Sequence, residues 1–231
     1  MNSSAPAPAP APPASPAEIP VATPEFIEKV KGYHDDNFSQ VNSALGNIEK
    51  QLRKSLAKSD ESGEFTFTRI YTMLLGVWCE ARLHKLLYEK GVFSEEERVF
   101  VYSVSQLSER WQRALELGLK KHLGLSIDAE CSRATMNFST YNLYQEIRGW
   151  IFQHFDPAIT LRNKIAHGQW VKPFLNTQSD WLSSNNFTIC GQSSAALNSE
   201  NILTTTIKID LIKEISVTIN NLAVDSKVYK A

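Results

Sequence analysis

Apolar residues recur at intervals of three and four along most of this chain, the spacing of amphipathic helices. Phe38, Val41, Leu45, Ile48 and Leu52 form one such stripe. Thr23, Pro24 and Glu25 open that first helix as N-cap, first-turn proline and dipole-matching acid. The polar residues 59–64, with Gly63, are expected to end it. A second helix is expected over about residues 66–90, turning Phe67, Ile70, Tyr71, Leu74, Leu75, Trp78, Leu83, Leu86 and Leu87 inward, with Gly91 as its stop. Ser94 and Glu97 make a capping box for a third. Its stripe is Phe100, Val104, Leu107, Trp111, Ala114 and Gly118, suited to packing in a bundle. Lys120, Lys121 and His122 fall in its last turn, where cations suit the dipole, with a phosphate-facing patch as the alternative.

After a polar loop over residues 126–140, a fourth helix is expected over 141–154, anchored by Tyr144, Ile147, Trp150 and Ile151. Asp156-Pro157 reads as a corner, the acid capping and the proline entering a short fifth helix that Gly168 ends. Trp170, Phe174, Trp181 and Phe187 suggest a loop tied down by aromatics. Residues 187–190 and 203–209 are rich in β-branched side chains and suggest a small hairpin. Asp210 then caps a last helix with Ile212, Ile215, Ile219 and Leu222 on one face. The expected fold class is all-α, an up-and-down helical bundle with a short extra helix and a possible small β-hairpin near the C-terminus.

Composition divides the chain into a tail, residues 1–23, and one helical domain, 24–231. The tail is mostly Ala and Pro, which favours extended polyproline II and leaves little to bury. It has neither the basic start nor the apolar run of a secretory signal, and no stretch approaches the roughly 20 apolar residues that span a bilayer. Three unpaired cysteines, Cys79, Cys131 and Cys190, read as ordinary thiols of a cytoplasmic protein. A net charge of −1 argues against a non-specific grip on long nucleic acid, so any RNA contact must be local.

Chemistry concentrates at residues 161–170, LRNKIAHGQW. Arg162, Asn163 and His167 place a guanidinium, a carboxamide and an imidazole within one and a half helical turns. Asn163 and His167 share a face, and the long stem of Arg162 lets its head swing toward the same ligand. This run resembles the Arg/His motif of HEPN-domain ribonucleases, with four residues between Arg and His and Asn after the Arg. The resemblance covers about residues 24–225, although only 161–170 is specific. It implies a helical bundle that dimerises, so that two motifs line one cleft, and a metal-independent cleavage of RNA that leaves a 2′,3′-cyclic phosphate. His167 would then be the general acid/base, Arg162 the phosphate clamp and Asn163 the orienting amide. Lys164, Arg148 and His154 are candidates for substrate binding. The expected partners are RNA, a second copy of the chain, and an antitoxin or regulatory protein of a toxin–antitoxin or antiviral defence system; no membrane and no cofactor is expected.

Two alternatives stand beside this. Arg162, Asn163 and His167 could form no more than a helix-end network, and a HEPN-like domain can be a catalytically silent dimerisation or RNA-binding module. On the second helix Glu80 and His84, four apart, could contribute to a metal site, but no third ligand stands at a suitable spacing and a solvated polar face is the plainer reading. The chain has no phosphate-binding glycine loop, paired CxxC or serine-nucleophile elbow.

Overall fold

The computed structural model of the protein describes residues 22–175 and 188–225. Its elements are α1 (Pro24–Ala57), α2 (Glu61–Tyr88), α3 (Glu95–Tyr102), α4 (Leu107–Leu123), α5 (Phe138–Trp150), a π turn (Ile151–Phe155), α6 (Asp156–Ala166), α7 (Gly191–Ser199) and α8 (Ile202–Asp225). Most of the Ala/Pro-rich tail (residues 1–21), the expected loop anchors Trp181 and Phe187, and residues 226–231 lie outside the described residues. The fold is an all-α helical bundle. Central α2 packs against α1, α6 and α8, and α4 closes the other side against α8 and the π turn. Trp78, Trp111, Tyr71 and Phe155 are the largest fully buried side chains. No described helix is long and apolar enough to cross a membrane.

Local signals hold where the chemistry is local. The Thr23 hydroxyl accepts the Phe26 N–H at 3.2 Å, and the Ser94/Glu97 capping box is formed in both directions. Gly91 takes a left-handed φ of 77° just past α2, which a side chain would resist. At the start of α2, however, Gly63 does not break the chain. Asp60 caps the helix by accepting the Gly63 N–H at 2.9 Å, so α2 starts five residues earlier than its apolar stripe suggested.

Three expectations are corrected. The predicted third helix is two helices, α3 and α4, parted at residues 103–106. Arg110 Nε donates to the Val104 carbonyl at 2.9 Å and Arg113 Nη1 to that of Phe100 at 2.6 Å, so side chains from α4 satisfy carbonyls at the break. At Asp156-Pro157 there is no corner. Helical backbone runs from α5 to α6 through the π turn, whose extra residue per turn makes room for a proline that has no N–H to donate. The Asp156 carboxylate, rather than capping, accepts the Ser108 hydroxyl of α4 at 3.0 Å. Finally, residues 203–209 are not a strand but the first turns of α8, capped by Asn201, whose side-chain oxygen accepts from Leu203 and Thr204 N–H. Among the described residues the only β feature is one antiparallel bridge, Phe174 with Ile189. The helix prevails because Thr205, Ile209, Ile212, Ser216, Ile219 and Ala223 are buried at alternating intervals of four and three, a stripe that runs unbroken through the β-branched stretch.

The cations ending α4 serve the fold. Lys120 is buried and reaches Glu116 and the Ile127 carbonyl, while Lys121 pairs with Glu97 at 2.9 Å, so neither faces a phosphate.

The α1/α2 seam carries two adjoining imidazoles, His34 and His84, with ring centroids 5.2 Å apart and planes tilted by 56°. Tyr88 lies 4.9 Å from His34 and Tyr102 6.0 Å from His84, with Arg110 over the Tyr102 ring. The neighbouring Asp35 carboxylate is occupied by Lys85 at 2.6 Å and Lys31 at 3.5 Å. Burial holds both imidazoles below the ordinary histidine value of 6.5, and in His84 the adjoining His34 adds to the effect. An unfolded chain would therefore bind these protons more readily than the folded one, so stability is complete above about pH 6.5 and falls as pH drops below it. Asp35, lowered chiefly by its Lys85 hydrogen bond, begins to matter only near and below its ordinary 3.8. Melting at pH 5.5 should thus occur below melting at pH 7.5, and a His84→Phe variant should narrow the gap; an undiminished gap would place the acid sensitivity elsewhere.

Candidate functional site

Helix α6 carries the motif because one of its sides is apolar. Ala158, Leu161 and Ile165 are buried, and Leu161 and Ile165 meet Leu197 of α7 with Met73 and Trp170 packed around them. That stripe forces Asn163, Ala166 and His167 outward into solvent, with Arg162 and Lys164 at the margins. A glycine stop fixes where the helix ends. Gly168 has φ +76°, its N–H donates to the Ile165 carbonyl at 3.0 Å, and the Gln169 N–H donates to Lys164 at 2.9 Å. This pair of bonds is the Schellman termination. His167 is thereby the C-cap, its N–H on the Asn163 carbonyl at 3.1 Å and its ring exposed.

The segment beyond is tied to the helix it leaves. Trp170 Nε1 donates to the Ile165 carbonyl at 3.0 Å, and Arg69 of α2 donates to the carbonyls of Trp170 at 2.9 Å and Leu197 at 2.6 Å. Gln169 Oε1 accepts the Phe174 N–H at 2.8 Å. His167 consequently lines one side of a shallow open hollow with Gln169, Trp170, Val171, Lys172 and Phe174. Lys172, exposed in that hollow, is a cation the motif alone did not single out.

Arg162 is set differently from its motif partners. Its Nη2 donates to Glu80 Oε2 of α2 at 3.0 Å, and its Nε is buried with no hydrogen-bond partner among the described residues. One turn before Glu80, Gly76 allows the helices to touch: a Cβ built there would lie 2.4 Å from Arg162 Cβ and 3.0 Å from the Ala158 carbonyl. Gly76→Ala gains about 1 kcal/mol of helix propensity, but those clashes are with a stem carbon and backbone, which yield little. A net loss of about 1–3 kcal/mol is expected from overpacking. Urea unfolding checks it, and an alanine variant as stable as the parent would show that α6 can slide away freely.

The structure brings only some of the expected substrate contacts together. Lys164 is near the motif, but its ammonium donates to the Phe174 carbonyl and so staples the loop to α6. His154, half-buried on the π turn, is thirteen residues before His167, roughly 20 Å along the axis at 1.5 Å per residue. Arg148 is nineteen residues before it, roughly 28 Å, and bonds Gln112 of α4 at 3.1 Å in a separate hollow with Glu109, Arg113, Glu116 and Tyr144. Neither shares the His167 hollow within one chain. Glu80, read from sequence as part of a solvated face, is instead the partner of Arg162; Gly76 and Glu80, four apart on α2, were the signal that could have found this. No group of three or more His, Cys, Asp or Glu that could hold a metal occurs among the described residues. All three thiols are free; burial pushes Cys79 up, and the hydroxyl and N–H of Ser193 draw Cys190 down.

Comparison of the chain with protein-family models, with curated proteins and with solved structures returns no match.

Proposed function

We propose that the protein is a metal-independent endoribonuclease of the HEPN type that works in the cytoplasm as a homodimer. One observation supports this above the others: the His167 ring stands exposed at a glycine-terminated helix end, one turn from exposed Asn163, in the helix that also bears Arg162. In the reaction, the ribose 2′-oxygen forms a bond to phosphorus as the bond from phosphorus to the 5′-oxygen breaks. One imidazole takes the 2′-hydroxyl proton and a second delivers a proton to the departing 5′-oxygen. A single chain offers one such ring at this site, so the second comes from a second copy. Arg162 meets the charge that builds on the phosphoryl oxygens, Asn163 orients the substrate, and Lys172 adds local positive potential. Service in a toxin–antitoxin or antiviral system, with a controlling partner protein, follows the resemblance.

A second reading, a catalytically silent helical interaction module, has its own observation. Glu80 already neutralises Arg162, and Val171, Leu175 and Ile189 expose apolar surface beside the motif. The two part on one experiment: purified protein with a panel of single-stranded and structured RNAs in excess EDTA. The nuclease reading expects fragments ending in 2′,3′-cyclic phosphate, absent with His167→Ala and with Arg162→Ala. Cleavage that persists in both variants would remove the proposed site, and no cleavage by the parent on any RNA would leave the interaction module.

A further inference from the structure

Helix α2 grips Arg162 at two points. Its stem lies in the gap left by Gly76, where even a methyl group would fall 2.4 Å from Arg162 Cβ, and its head is bonded to Glu80 one turn further on. Positions 76 and 80 share a helical face, so stem and head are held from the same side. A free arginine carries several rotatable bonds, and holding it costs entropy each time a ligand is bound. Here the cost falls on the fold: the buried Nε and the Nη2 bond leave the outer edge of the guanidinium as the part able to turn to a ligand. Glu80 is 38% exposed and Arg162 25%, so the pair is rooted in the α2/α6 contact yet open on one side.

We infer that Glu80 is the positioning residue of Arg162, and that with Gly76 it sets the guanidinium at a fixed depth on α6 to meet a phosphodiester. The inference rests on the nuclease reading for its consequence and on the geometry alone for the hold. Glu80→Gln keeps the size and removes the charge that fixes the guanidinium. In the full-length dimer it is expected to lower kcat about 10- to 100-fold, the scale of a misplaced catalytic group, with KM changed little. Glu80→Asp, a shorter carboxylate, should recover part of that loss where a merely structural role would not distinguish charge from size. A side-chain nitrogen NMR spectrum of the guanidinium, assigned with Arg162→Lys, reads the hold directly: slow rotation in the parent, fast rotation in Glu80→Gln, at matched melting temperatures. An unaltered Arg162 signal in Glu80→Gln, or an undiminished kcat, overturns the assignment. A parent that cleaves no RNA removes the nuclease reading and the catalytic consequence together, while the NMR signal still decides whether Glu80 holds Arg162.

Discussion

Alanine at position 167 is expected to slow RNA cleavage by about 10²–10⁴-fold, the usual worth of a positioned general acid or base. The loss should appear in kcat, because in the proposed reaction the ring would act on protons in flight, and RNA affinity should change little. Stability should change little too. The imidazole is exposed and only its backbone N–H takes part in the helix end, which alanine preserves. Surface replacements of this kind stay within about 0.5 kcal/mol, so loss of activity at an unchanged melting temperature separates chemistry from misfolding. Mixed dimers sharpen the test. Because the proposed composite cleft would need two rings, one parent copy paired with one His167→Ala copy should be as impaired as the double variant, within the cleft they share. If the mixed dimer keeps half of the parent rate, each chain cleaves alone and the composite site is wrong.

Trp111→Ala should cost about 3–5 kcal/mol, the largest stability loss expected of any single change here. The indole is fully buried in α4 and meets Phe155 of the π turn edge-on, with centroids 5.3 Å apart. Removing it empties the junction between α4 and the segment that delivers α6. Against a total of about 5–15 kcal/mol for a domain, such a variant would sit near its unfolding threshold. Trp111→Phe is a sharper probe. It retains a ring against Phe155 and deletes Nε1, which is buried without a hydrogen-bond partner among the described residues. Its loss should be about 1 kcal/mol or less, because a buried unpaired N–H is itself unfavourable. Urea denaturation of the two variants checks the order; equal losses would mean that the indole nitrogen is served by a bound water.

What could be read from the chain in advance was whatever depends on neighbours three or four residues away. The Thr23 cap, the Ser94/Glu97 box and the glycine stops at 91 and 168 are of this kind, and so is the Ile212, Ile215, Ile219 face of the last helix. So was the motif, since Arg162 and Asn163 lie in one helix with His167 as its C-cap and their spacing sets their mutual angles. Long-range contacts decided the rest. Arg110 and Arg113 serve carbonyls across the gap between α3 and α4, a continuous stripe notwithstanding. The β-branched residues before Asp210 turned helical because their burial follows the α8 stripe, which outweighs propensity.

The sequence by itself determined the all-α class, the caps that open α1 and α3, the glycine stops after α2 and α6 and the place of the one chemical motif, because caps, glycine stops and 3.6-residue periodicity act within a turn or two of chain. Only the tertiary structure decided that Arg162 answers to Glu80, 82 residues away, while His167 is left open and Lys164 is spent on a loop. Such partnerships arise where two helices cross, and the crossing is set by packed volume, here by the side chain that Gly76 lacks, which no local pattern encodes.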